Sequence, residues 1–174
     1  LLNEAVRSSP PGSHGLLFLS LSGPSQVVDV APGGGFVGME LVHTRADMSR
    51  AVLEGCAFEV RWALDELRSA GVLVQELWLA GGANRSPVWP QILADICGLP
   101  LHVAGYADWA ALGSAALAGW GIQAFPTLEE GISLLQPHIQ RLEPDPTLKN
   151  LYARQLETYQ RISRTVNSAR IAKG

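Results

Sequence analysis

The sequence has little of several features that mark whole classes of protein. Only two of its 174 residues are cysteines, too few for the dense cross-linking of a disulfide-stabilised secreted domain. Its net charge is −3, so it lacks the positive field that attracts nucleic acid. Its apolar runs, such as residues 16–21, are far shorter than the roughly 20 residues that cross a bilayer. We therefore predict no disulfide framework, no nucleic-acid partner, no membrane partner and a cytoplasmic location.

Apolar residues are plentiful, at 47% of the chain, which is enough for one sizeable core. We therefore predict one domain over residues 1–174. Short apolar runs bounded by glycine or proline predict strands at residues 16–21, 76–80 and 101–103, with a weaker strand at 26–30 inside a glycine-rich excursion. The first residue is Leu1 rather than methionine, and residues 1–6 are typical of the end of a helix. We expect the chain to be part of a longer protein.

The clearest predicted helix begins after Thr44, which with Asp47 has the spacing of a capping box, and it ends at Gly71. Apolar residues recur along it at three- and four-residue intervals, and charged residues such as Arg50 and Glu54 are expected mostly outside that stripe. The residues expected on the buried face are Met48, Val52, Cys56, Val60, Leu64 and Leu67. Further helices are predicted at residues 86–98, 110–121 and 127–135 and after Pro146. In the first of these, Val88, Ile92 and Ile96 form an apolar stripe, with Trp89, Leu93 and Cys97 beside it.

The most informative stretch is LWLAGGANRSPVWPQILADICG, residues 77–98. A buried strand runs directly into Gly81 and Gly82, which carry no side chain to block the approach of a ligand. Ser86 is expected to cap the following helix and Pro87 to occupy its first position. The start of such a helix can offer free N–H groups to a phosphate or ribose. From the residues alone, a tight strand-to-helix connection remains as good an explanation as a ligand site.

This stretch resembles the adenosine-binding motif of the FGGY carbohydrate kinases, and xylulokinases in particular. The motif there is a hydrophobic strand, two or three glycines, Ala-Arg-Ser, a tryptophan, then Gln and Leu-Ala-Asp. The residues that fall in register are Gly81, Gly82, Arg85, Ser86, Trp89, Gln91, Leu93, Ala94 and Asp95. Ala83 replaces a frequent third glycine and Asn84 a frequent alanine. Residues 15–23, 34–67 and 110–130 are similar to other segments of the family in the same order, so the resemblance spans most of the chain.

The resemblance implies a fold, an activity and a set of roles. The fold would be α/β, the ribonuclease H-like C-terminal lobe of the actin, Hsp70 and hexokinase superfamily, incomplete at its N-terminus. The parent would transfer the γ-phosphoryl of ATP, with Mg²⁺, to D-xylulose or a related pentulose or polyol. In this chain the residues expected to bind the nucleotide are Gly81, Gly82, Ala83, Asn84 and Ser86. For Ser86 a plain helix-capping role is an equal alternative.

The same resemblance implies that part of the machinery lies elsewhere. No segment matches the family's catalytic aspartate or its sugar-binding residues, so we expect no catalytic and no metal-binding residue here, and no activity from this chain alone. Pro24 and Ser25 stand where xylulokinases commonly have Glu-Arg, which leaves open a degenerate, non-catalytic nucleotide-binding module. The small-residue helix at 110–121 can lie very close to its neighbours, with Gly113 as a packing position. It suggests contact with the missing N-terminal domain or a homodimer.

A different class of function is suggested by Gly33, Gly35 and Gly38, which fit the dinucleotide fingerprint G-x-G-x-x-G. A true fingerprint opens its helix at the motif itself. Here the helix is predicted to start only after Thr44, and Pro32 interrupts the turn. An NAD-binding oxidoreductase fragment is therefore the minor alternative.

Overall fold

The computed structural model describes residues 2–20, 34–105, 109–134 and 139–171, with side chains of the last helix described as far as residue 166. Its helices are α1 (Leu2–Ser8), α2 (Arg45–Ser69), α3 (Trp89–Cys97), α4 (Trp109–Gly121), α5 (Leu128–Leu134) and α6 (Lys149–Ile171). Its strands are β1 (Leu17–Leu19), β2 (Gly35–Val37), β3 (Leu77–Leu79), β4 (Leu101–Ala104) and β5 (Ile139–Leu142). The predicted strand at residues 26–30 and the Pro24–Ser25 substitution lie outside the described residues.

The strands form two small sheets. β1 pairs antiparallel with β2, with Phe18 opposite Phe36. In the second sheet β3 and β4 run parallel, with Leu77 opposite Leu101, and β5 lies antiparallel on the other side of β4. The strands β1, β3 and β4 were predicted, whereas β2 and β5 were not. β2 was hidden by its glycine-rich surroundings, and the polar β5 has no continuous apolar run.

Both ends of α2 follow from the sequence. The Thr44 hydroxyl accepts a hydrogen bond from the Asp47 N–H (3.4 Å), and the Asp47 carboxylate accepts one from the Thr44 N–H (2.8 Å), which completes the capping box. At the other end Gly71 has a φ of +86°, and the Val72 N–H donates back to Leu67 O at 2.9 Å. This left-handed glycine closes the helix in the way that residues with a Cβ rarely can.

The prediction of which face of α2 is buried was wrong in part. Val60 and Leu67, expected inside, are 36% and 43% exposed, whereas Arg50 and Glu54, expected outside, are 9% and 2% exposed. The physical reason is a polar cluster that apolar periodicity cannot reveal. The Glu54 carboxylate accepts hydrogen bonds from Arg50 Nε, the Gly12 N–H and the Tyr152 hydroxyl. Buried charges are tolerated when they are paired and hydrogen-bonded in this way.

The main core lies between α2, α3, α6 and the two sheets. The ring of Phe58 on α2 packs against Tyr159 of α6 with centroids 5.4 Å apart. Of the apolar residues predicted to line α3, Ile92, Leu93, Ile96 and Cys97 are buried, whereas Val88 and Trp89 are half-buried. Cys56 and Cys97 are free thiols, and burial raises the pKa of Cys97 to about 12. No helix in the described ranges is long and apolar enough to cross a membrane.

Helices α4 and α5 form a hairpin around Phe125. A Cβ at Gly119 or at Gly131 would overlap the Phe125 ring, so both glycines are needed for the close approach. Gly113, which the sequence suggested as a packing position, has no described atom within 4 Å of the place where a Cβ would lie. Most of α4 is exposed, with Ala116 as its buried residue. Within the described ranges, the close packing predicted for this helix is therefore found at its C-terminal end.

Candidate functional site

The glycine pair lies where the parallel strands β3 and β4 end. β3 ends at Leu79, and the chain passes through Gly81 into a single 3-10 turn, Gly82–Arg85. β4 ends beside it at Ala104. In open α/β sheets the carboxyl ends of parallel strands are where ligands bind, because loops leave the sheet there and expose backbone groups. The structure thus places the predicted motif at the edge of the sheet best suited to a ligand.

The backbone at the two glycines is bare and open. Gly81 has φ +80° and ψ −158°, a conformation that is essentially restricted to glycine. At both Gly81 and Gly82, no described atom outside the adjacent residues lies within 4 Å of the position that a Cβ would take. Gly81, Gly82 and Ala83 are all exposed. A ligand can therefore approach the main chain here without displacing a described side chain.

The turn also leaves backbone donors near this open surface. Its first internal hydrogen bond runs from the Asn84 N–H to Gly81 O at 3.2 Å. The N–H groups of Gly82 and Ala83 precede that bond, and the first N–H groups of a helical turn have no acceptor within it. Such groups are suited to an anionic or polar ligand. The geometry therefore offers a small, neutral, backbone-lined surface.

The side chain of Asn84 is turned toward the sheet. Its amide nitrogen donates to Ala104 O at 2.7 Å and to Gly105 O at 3.0 Å. An Asn amide has two protons, so both are used in joining the turn to the end of β4. The residue is half-buried by this contact, and its remaining capacity is that of an acceptor.

Ser86 lies three residues before the first residue of α3 and binds the start of that helix. Its backbone is extended, with φ −79° and ψ 125°, and its hydroxyl oxygen accepts from the Trp89 N–H at 3.2 Å. The hydroxyl proton is donated to Asn3 Oδ1 of α1, at 2.9 Å. The predicted contact between the Ser86 hydroxyl and the start of the helix is thus present, but the N-cap residue of α3 is Val88 and not Ser86. The hydroxyl has one proton to give, and that proton is already used.

The start of α3 differs from the prediction. Regular helix begins at Trp89 rather than at Pro87, and Pro90 occupies the first turn instead. Ser86 takes the Trp89 N–H and Pro90 has none, so the first turn of α3 has little left to offer a phosphate. The backbone donors of the site therefore belong mainly to the 3-10 turn.

Two further residues of the motif stabilise the fold. Gln91 Nε2 donates to Asp95 Oδ1 at 2.8 Å and to Glu143 O at 3.0 Å. The Asp145 N–H donates to the same Asp95 oxygen at 2.8 Å. Burial raises the pKa of Asp95. These contacts join α3 to the segment that precedes α6, which lies about 50 residues further along the chain. The motif alone does not suggest such a contact.

The dinucleotide alternative is not supported by the structure. Gly35 lies in β2, which is paired with β1, and α2 begins only at Arg45. Gly38 has a φ of +78°, but it leads to a loop rather than to a helix. Gly33 lies outside the described residues. A G-x-G-x-x-G fingerprint opens a helix at its own glycines, so this spacing is fortuitous.

Sequence reasoning missed the groups that position the loop. Asn3 on α1 and the carbonyl groups of Ala104 and Gly105 carried no motif that could have marked them. The signal that could have indicated the contact of Asn84 with the end of β4 was its departure from the alanine usual at that position. Among the described residues, no three His, Cys, Asp or Glu side chains come together as a metal site.

Comparisons with known proteins show the family of this chain. The model of the FGGY family of carbohydrate kinases, C-terminal domain, matches residues 22–122. The L-xylulose/3-keto-L-gulonate kinase of Escherichia coli strain K12 is 32% identical over 162 residues, which cover 92% of this chain and 32% of that protein. The xylulose kinase of Staphylococcus epidermidis is 29% identical over 164 residues, covering 93% of this chain and 33% of that protein.

A solved structure gives the same answer for the fold. The crystal structure of xylulose kinase from Rhodospirillum rubrum superposes with a TM-score of 0.79 at 26% identity, covering 96% of this chain and 34% of that one. The predicted ribonuclease H-like fold of the actin, Hsp70 and hexokinase superfamily is thereby confirmed. The chain spans about a third of the length of these relatives. The chain belongs to the FGGY family of carbohydrate kinases, as part of the C-terminal domain of that family.

Proposed function

We propose that residues 1–174 are the C-terminal nucleotide-binding domain, in part, of an ATP-dependent sugar kinase. The observation that carries this proposal is the open backbone at Gly81 and Gly82, at the carboxyl end of β3. The sugar would be D-xylulose or a related pentulose or polyol. Relatives support a kinase acting on such sugars, and their names differ in the sugar they specify.

ATP fits the residues that are present. A nucleotide's ribose and first phosphate need a surface without side chains and with N–H donors, and the turn at Gly81, Gly82 and Ala83 supplies both. A Cβ at Gly82 would occupy the space that the nucleotide needs. Bound ATP would supply the phosphoryl group. This chain would hold the nucleotide in place and orient it, while Asn84 and Ser86 hold the turn itself.

The remaining parts of the reaction are assigned to the rest of the parent protein. Phosphoryl transfer to a hydroxyl needs a base and charge stabilisation on the transferring group. Mg²⁺ would be held by the nucleotide and the rest of the parent protein, and it would supply charge stabilisation at the transferring phosphoryl group. The sugar site and the base would come from the N-terminal domain, in a cytoplasmic protein able to form a homodimer.

The test is a coupled assay of ADP release by the intact protein, with ATP, Mg²⁺ and a panel of pentuloses and polyols. The proposal predicts ADP release that depends on one of these sugars, with D-xylulose the first candidate. In parallel, calorimetric titration with ADP measures binding separately from turnover. Binding without turnover by any sugar would favour the degenerate, non-catalytic module. Absence of binding would refute the assignment of a nucleotide site.

A further inference from the structure

The side chain of Asn84 joins the two backbone segments that border the proposed site. The turn that bears the open glycines follows β3, and the Ala104–Gly105 segment follows β4. Asn84 Nδ2 lies 2.7 Å from Ala104 O and 3.0 Å from Gly105 O. Asn84, two residues after Gly82, is thus hydrogen-bonded through both of its amide protons to the neighbouring strand end.

We infer that Asn84 is a positioning residue, which fixes the nucleotide loop against the end of β4 so that its main chain is presented to the nucleotide in one conformation. This inference rests on the proposed nucleotide site. At this loop the nucleotide is then recognised by backbone groups and by the open space above the glycines. The Asn84 amide makes no contact with the nucleotide.

The loop needs such support because its own hydrogen bonds are few. The turn has only the bonds of one 3-10 turn, and Gly81 and Gly82 are the residues with the greatest conformational freedom. Ser86 secures the far end, where its hydroxyl donates to Asn3 and accepts from the Trp89 N–H. Asn84 secures the middle, beside the glycines. A loop that is ordered before binding avoids part of the entropy cost of binding.

The chemistry of the two acceptors makes the inference specific. Both partners of Asn84 are carbonyl oxygens, so the position requires two donors. Alanine would leave the two carbonyls without these donors. Aspartate, of nearly the same shape, would direct a charged acceptor at two acceptors. Asn84→Asp should therefore loosen the loop more than Asn84→Ala.

The experiment compares the intact wild-type protein with Asn84→Ala, Asn84→Asp and the control Asn150→Ala, which changes an exposed asparagine at the start of α6. Amide hydrogen exchange of residues 82–86 is measured without nucleotide. The dissociation constant for ADP is measured by calorimetry, and the thermal midpoint of each variant is recorded. A residue that only stabilises the fold would lower the midpoint without a local rise in exchange.

We expect faster exchange confined to residues 82–86 in both Asn84 variants, greater in Asn84→Asp, and about tenfold weaker ADP binding in Asn84→Ala, since two hydrogen bonds are lost. Asn150→Ala should match the wild type in every measurement. Unchanged local exchange in both Asn84 variants, or equal ADP affinity of wild type and Asn84→Ala, would overturn the inference while leaving the nucleotide site in place. If the wild type bound no ADP but Asn84→Ala still accelerated local exchange, the proposed function would fall and the loop attachment would stand.

Discussion

Replacing Glu54 with alanine should lower the free energy of unfolding far more than expected for a charged residue outside the apolar stripe of α2. The carboxylate is 2% exposed. It accepts hydrogen bonds from Arg50 Nε (2.8 Å), the Gly12 N–H (2.9 Å), the Ser13 hydroxyl (2.8 Å) and the Tyr152 hydroxyl (2.9 Å). Glu54→Ala would leave the buried Arg50 guanidinium without its charged partner, although its bonds to Ser9 O and the Tyr152 hydroxyl would remain. Breaking a buried ion pair in this way costs about 3–5 kcal/mol. That is a large part of the stability of a typical domain.

The same helix offers a matched control. Arg61 and Asp65 have the same four-residue spacing as Arg50 and Glu54, but their side chains are 27% and 31% exposed. An ion pair in contact with solvent contributes about 0–1 kcal/mol, so Asp65→Ala should have a small effect. Urea denaturation followed by tryptophan fluorescence gives the free energy of unfolding of each variant. Similar losses in Glu54→Ala and Asp65→Ala would refute the claim that the buried cluster organises this part of the fold.

Two further predictions concern glycine packing and pH. Gly55→Ala should destabilise the chain by about 1–3 kcal/mol, since the new Cβ would overlap the backbone carbonyl of Phe18. Gly113→Ala should instead stabilise α4 by up to about 1 kcal/mol. Thermal midpoints of the two variants that shift in the same direction would contradict this pair of predictions. Hydrogen bonds to its carboxylate hold the pKa of Asp47 well below its ordinary value, and the bond from the Ser9 hydroxyl has the largest effect. A depressed pKa contributes stability above about pH 4 that is lost as the pH falls further. Asp47→Asn should therefore flatten the acid limb of the stability profile, and an unchanged limb would count against this explanation.

Much of the fold followed from the sequence because local chemistry determined it. The capping box at Thr44 and the left-handed Gly71 set the ends of α2 within the sequence itself. The apolar stripe of α3 identified four of its buried residues, Ile92, Leu93, Ile96 and Cys97. What the sequence could not show was Glu54 in the interior. Its partners Gly12 and Tyr152 lie 42 and 98 residues away, so no local pattern brings them together.

The candidate site was predictable to a similar degree. The strand followed by two glycines placed the open backbone correctly, since glycine's freedom is a local property. The roles of the neighbouring side chains were not predictable in the same way. The side chain of Asn84 donates to Gly105 O and that of Ser86 donates to Asn3 Oδ1. These partners are distant in sequence, and only the folded chain brings the groups within hydrogen-bonding distance.

The most direct test of the nucleotide site is an ADP titration of the intact protein and its Gly82→Ala variant, with Gly113→Ala as a control. A methyl group at Gly82 meets no described atom, so the fold should tolerate it and the thermal midpoint should stay within a few degrees of the wild type. We predict at least a tenfold loss of ADP affinity in Gly82→Ala, equivalent to about 1.4 kcal/mol, and none in Gly113→Ala. Wild-type affinity in a fully folded Gly82→Ala variant would contradict the claim that the nucleotide lies against this backbone.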